Sequence, residues 1–236
     1  MSRATAVAAA ALLACAFEPG AAAPHSPSAL DVVERFLANE DHALTSYRAV
    51  RTLEAATRGG QMRARLVAST SLDPVDGFTY SIVEESGSAV IRQRVLRAAL
   101  EAERSMRERG ELARAALTEA NYDFGVADAE GDDLVRVAIH PRRHDTLLVD
   151  GSVVLSTAAA DLVRVEGRLS KRPSFWTRRV EIARRYARKA GVRVPVSTTS
   201  TADVLLVGRS TFSMTYEYAS VNGQALSVFE SAAAQR

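Results

Sequence analysis

The one local cluster of residue types able to ligate a metal is His140-Pro141-Arg142-Arg143-His144-Asp145. Two histidines four residues apart face a common ion only from one side of a helix, and Pro141 forbids that helix by removing an amide donor and crowding the preceding turn. No other histidine stands at a useful spacing, so the segment reads as a solvated loop, and no metal or cofactor is expected. Arg136, Arg142 and Arg143 could instead meet a phosphate or an anionic lipid headgroup. No Gly-x-Ser-x-Gly occurs, and the single cysteine, Cys15, lies in the leader, outside any catalytic domain. Glu84-Glu85 and Asp132-Asp133 are sequence neighbours. Adjacent strand side chains point apart, so neither is a good acid/base pair. The expectation is a protein that is not an enzyme.

The elements around these residues are mostly strands. Phe212, Met214, Tyr216 and Tyr218 alternate with Ser213, Thr215 and Glu217, the period of a strand with one apolar face. Val163, Val165 and Leu169 alternate with Arg164, Glu166 and Arg168 about fifty residues earlier. Further strands are expected at 47–54, 62–70, 78–82, 122–126 and 134–139. Leu147-Leu148-Val149 and Val153-Val154-Leu155 flank Asp150-Gly151, which reads as a tight hairpin. Segment 176–186 has good helix formers, but the spacing of Trp176, Val180, Ile182 and Tyr186, with the hairpin-like Gly191-Val192-Arg193-Val194-Pro195 after it, favours a strand.

Two helices interrupt the strands. Ser28 or Asp31 can cap a helix over 29–39 with Leu30, Val33, Phe36 and Leu37 on one face. Ser88 can cap another that stops at Gly110, with Ile91, Val95, Ala99, Ala102 and Met106 as its apolar stripe and Arg92, Glu101, Glu103 and Arg104 on a solvated face. A short helix over 111–119 follows. The fold class expected is therefore α+β: a curved antiparallel β-sheet of about nine to eleven strands, an unclosed barrel, covered on its concave face by two or three helices. Helices fill such a hollow less tightly than a second sheet would, so an apolar cavity is expected beneath them.

The chain's 236 residues suffice for one sizeable core. Its 30 basic and 28 acidic residues leave a formal charge of +2, which implies no nucleic-acid partner. Residues 1–23 begin with Arg3, continue through an apolar run to Phe17 and end in Ala21-Ala22-Ala23, the layout of a secretory signal. That run is too short to span a bilayer, and no later segment approaches the ~18 apolar residues needed, so the protein is not expected to span a membrane. Leu12-Leu13-Ala14-Cys15 also resembles a bacterial lipobox, which leaves two routes open: periplasmic export, or a lipid anchor through Cys15. The organisation expected is a signal peptide at 1–23, a linker at 24–28, one domain at 29–223 and a tail at 224–236.

The order of these elements resembles the LolA/LolB-like lipoprotein-carrier superfamily, the outer-membrane lipoprotein-sorting proteins. The segments that carry the resemblance are Tyr47-Arg48-Ala49-Val50-Arg51, residues 162–169, Pro173-Ser174-Phe175-Trp176, residues 191–195 and residues 212–218. It implies an exported envelope protein that binds a lipid or lipoprotein acyl group in an apolar cavity between sheet and helices. Carriers of this kind latch a lid with an arginine, and no residue here matches it by motif. The expected cavity walls are Phe78, Tyr80, Phe124, Trp176, Phe212, Met214 and Tyr216. The rival expectation is a non-catalytic envelope structural or sensing protein with a filled core and a protein partner.

Overall fold

The computed structural model describes residues 28–39, 41–131, 133–172, 177–205 and 208–227. The leader, Cys15 and Trp176 lie outside them.

Strand β1 (Tyr47–Thr57) buries alternate residues, Tyr47, Ala49, Arg51, Leu53 and Ala55, and turns the others outward, as the two-residue period requires. It continues into β2 (Met62–Asp73) and β3 (Gly77–Gly87) by antiparallel hairpins. After the helical crossing come β4 (Tyr122–Ala129), β5 (Leu134–Pro141), β6 (Val149–Ser156), β7 (Leu162–Leu169), β8 (Thr177–Lys189), β9 (Val192–Val204) and β10 (Gly208–Val221). The two-residue β11 (Gln224–Ala225) pairs with β10 and carries the sheet just past the expected domain end at 223. The spatial order is β3-β2-β1-β10-β9-β8-β7-β6-β5-β4, all antiparallel. Among the described residues no pairing joins β3 to β4, so the sheet is curved and unclosed.

Residues 177–189 form a strand, as their spacing suggested, and the chain reverses at Ala190-Gly191, both with positive φ. Asp150-Gly151 is not a hairpin: it lies inside β6. Gly151 pairs with Gly167 on β7, and a Cβ on Gly151 would stand 2.2 Å from the Glu166 carbonyl oxygen. The glycine serves close approach of two backbones there, not a turn.

Helix α1 (Ala29–Ala38) begins at a reciprocal cap. The Asp31 amide donates to the Ser28 hydroxyl at 3.2 Å, and the Ser28 amide to the Asp31 carboxylate at 3.1 Å. Its buried face is Val32, Val33 and Phe36; Leu30, assigned to that face from sequence, is 67% exposed. The second cover runs through α2 (Ala89–Ile91), a π-helical stretch Arg92–Arg97 and α3 (Ala98–Glu108). Ser88 occupies its first cap position but makes no side-chain capping bond. The i→i+5 bonding of the π stretch adds a residue to the turn and rotates everything after it. The buried side chains become Ile91, Leu96 and Leu100, while Val95, placed in the stripe by an unbroken 3.6 period, is exposed. A 3₁₀ turn, Glu111–Ala115, stands where a helix to 119 was expected, and Gly110 before it is left-handed.

The two covers build separate cores. Leu96 and Leu100 pack with Leu53, Leu66, Phe78 and Met214 over β1–β3 and β10. Val32, Val33 and Phe36 pack with Val137, Ile139, Val153 and Leu155 over β4–β6.

Candidate functional site

Directly paired residues of an antiparallel sheet share a face, so one inward-facing row can be followed across it. Leu66, Leu53, Met214, Thr198, Arg184, Val165, Val153 and Val137 stand side by side on β2, β1, β10, β9, β8, β7, β6 and β5. Every member is buried except Arg184, which stands in the middle. The main helix contacts fall on β1–β3 for the second cover and on β4–β6 for α1. The two cores reach Leu162 and Val165 on β7 and Val192 and Val194 on β9, and the gap between them falls at β8, where Arg184 is exposed.

Protein crowds Arg184 from many sides, yet its side chain still meets solvent. Its Nε donates to the Thr198 hydroxyl at 3.2 Å. Burial works against its charge. The neighbouring Tyr186 and Tyr216 oxygens and Glu103 outweigh that and hold its pKa above the ordinary value. Tyr186 in turn lines a cleft of about 490 Å³ beside the gap. Phe36 and Leu37 of α1, Leu117 and Leu162 form its apolar wall, and Asn39, Asp41, Glu119 and Arg193 its polar rim. Arg193 and Arg188 bridge Asp41 and Asp161, which ties the chain leaving α1 to β7–β9 at that rim.

On the other side of the gap sits a charge in the core. Arg51, 2% exposed, faces α3 and donates to Glu103 at 2.5 and 3.2 Å and to the Tyr47 hydroxyl. Its guanidinium carbon lies 4.7 Å from the Tyr216 ring centroid, 5.1 Å from Phe78 and 5.7 Å from Tyr47. Delocalised charge with planar faces suits such an aromatic box better than an ammonium would. Arg107 adds a third contact to Glu103 at 3.1 Å. Burial opposes ionisation of Glu103, and the two guanidiniums overcome it, so its pKa falls below the ordinary range. Burial pushes the Tyr47 phenol up to about 12. Glu103 was expected on a solvated face. The π stretch is what turns it inward.

Of the cavity residues expected from sequence, Phe78, Met214 and Tyr216 come together around Arg51 as packed core. Tyr80 is half-buried and donates to Glu101. Phe124 packs against the core under α1. Phe212 lines a separate groove of about 540 Å³ near the β1–β2 hairpin, with Glu54, Arg63 and Thr211. Trp176 lies outside the described residues. The three headgroup arginines are not gathered at one point. Arg136 faces outward from β5 and pairs with Glu166 and Glu130, whereas beyond the strand's far end Arg142 pairs with Asp123 and Arg143 with Asn121 and Asp145. His140 meets Asp150 at 3.0 Å, and no cluster of three or more metal-ligating side chains occurs among the described residues. Arg51, Arg184 and Glu103 were not singled out from sequence. The signal available for the first was its place in the inward alternation 47, 49, 51, 53, 55.

No family model and no curated protein matches the chain. Among solved structures, a LolA superfamily protein from Nitrosomonas europaea is similar over 87% of this chain and 97% of that one, at 10% identity and a TM-score of 0.37. No helix among the described residues is long and apolar enough to cross a membrane.

Proposed function

We propose that this chain is an exported envelope protein that shelters the acyl chain of a lipid or lipoprotein between its sheet and its helical covers. The observation that carries the reading is the gap at β8, where Arg184 stands exposed between the two cores and a cleft of about 490 Å³ opens beside Tyr186. An acyl chain offers no polar handle, so its affinity must come from apolar area removed from water, at about 25 cal/mol per Å². The walls that supply this area are Phe36, Leu37, Leu117 and Leu162, rather than the aromatic side chains packed under α3. Export rests on the signal-like layout of residues 1–23, with anchoring through Cys15 as the alternative form of the same protein.

A second reading, an envelope protein with a filled core that binds a protein partner, draws support from the other half of the hollow. There Phe78, Met214 and Tyr216 close around Arg51. Native mass spectrometry of protein taken from its own envelope separates the two. The carrier reading expects a hydrophobic adduct that is lost on delipidation and regained with added lipid. A bare protein that takes up no acyl probe would leave the filled-core reading standing.

A further inference from the structure

The inward row that crosses the sheet is apolar on both flanks and polar only where the covers part. Arg184 is exposed there, on the concave face between the two cores, where its charge stays hydrated until something enters the gap. Arg51, three strands away in the sheet, has Glu103. Arg184 has no carboxylate paired with it among the described residues, and its Nε donates to the Thr198 hydroxyl. A guanidinium carries five N–H donors in a planar fork. The other arginines near the gap are already held: Arg51 and Arg107 by Glu103, and Arg188 and Arg193 by Asp41 and Asp161. The cleft, with its apolar wall and polar rim, begins at Tyr186, two residues on along β8.

We propose that Arg184, Thr198 and Tyr186 seat the anionic head, a carboxylate or a phosphate, of an amphiphile whose acyl chain lies in the adjoining cleft. The assignment rests on the carrier reading above and narrows it. The cargo is a single-chain amphiphile with an oxyanion head, held head-inward on the concave face, instead of a neutral lipid held by its tail alone. The fork of Arg184 supplies paired donors to two oxygens, the arrangement that distinguishes an oxyanion from a hydroxyl.

The test uses delipidated full-length protein and three probes by titration calorimetry: hexadecanoic acid, hexadecanol and a lysophosphatidic acid of the same chain length. The acid is expected to bind about tenfold or more tighter than the alcohol, the scale of a charge-assisted hydrogen bond. Comparison of the acid with the lysophosphatidic acid tells a carboxylate source from a phosphate source. Arg184→Gln is expected to remove the preference for the charged head while leaving hexadecanol binding in place, and Arg185→Gln, one residue on, to leave the preference intact. Equal binding of acid, lysophosphatidic acid and alcohol, or a preference that survives Arg184→Gln, overturns the head site and leaves the carrier reading intact. Binding of none of the probes overturns both. Should Arg184→Gln fail to fold, Tyr186→Phe and Thr198→Val read the same seat, and a preference unchanged in both overturns the assignment.

Discussion

Arg51 and Glu103 carry opposite charges into the core, and their environments are not symmetrical. Glu103 keeps Arg107 if Arg51 is lost, whereas Arg51 keeps only ring faces, a phenol and a thioether if Glu103 is lost. Removing one member of a buried pair costs on the order of 3–5 kcal/mol. Glu103→Gln should therefore approach that loss in urea unfolding, and Arg51→Met should cost less. The double change Arg51→Met with Glu103→Leu should recover most of the stability, since apolar replacements of a buried pair are often neutral. The carboxyl of Glu103 titrates lower in the folded than in the unfolded chain. Its contribution is therefore complete above the unfolded carboxyl pKa of about 4.3 and fades as pH falls through the lower folded value. Unfolding midpoints measured from pH 7 to pH 3 should fall less steeply for Glu103→Gln than for the parent protein.

At the level of elements, the strongest constraint is the glycine pair where β6 crosses β7. A Cβ on Gly167 would come within 2.4 Å of the Asp150 carbonyl oxygen and 2.7 Å of the Gly151 Cα, so the strands would have to separate. Gly167→Ala should cost about 1–3 kcal/mol, read as a lower thermal midpoint, because overpacking is relieved only by backbone movement. At α1 the loss is smaller. Ser28→Ala removes one half of the reciprocal cap and should cost about 1 kcal/mol, again visible in the thermal midpoint. The π stretch Arg92–Arg97 has a further effect, because it places Glu103 and Arg107 on the same side as Leu96 and Leu100. An ideal α-helix from Ala89 onward would aim a different set of side chains at the sheet.

For the molecule as a whole, two cores share one sheet and meet only through its middle strands. A ligand seated between them would bind the folded chain and not the unfolded one. Free acyl probe at a hundred times its Kd should then raise stability by about 2.7 kcal/mol, seen as a concentration-dependent rise in Tm. No rise with any acyl probe would count against the carrier reading. The free edges, β3 and β4, are guarded in ways common to open sheets. Glu84 and Glu85 place charge on β3, and an irregularity between Phe124 and Ala127 breaks the regular pairing of β4.

Much of this was legible in the residues themselves. Alternation assigned the apolar face of 212–218 and a strand at 47–54, and the strand expected at 176–186 from the spacing of Val180, Ile182 and Tyr186 is found at 177–189. Ser28 and Gly110 marked where helices begin and end. Such signals are local, arising from bonding and burial within a few residues. What they could not disclose was adjacency. β1 lies against β10, so Arg51 meets Tyr216 and Met214 only after the chain has returned across the sheet. The π turn that swings Glu103 inward and the crossing that makes Asp150-Gly151 part of a strand arise from packing between distant segments. The same holds for the gap at Arg184: a period tells which side a residue faces, and only the assembled covers decide what, if anything, lies above it.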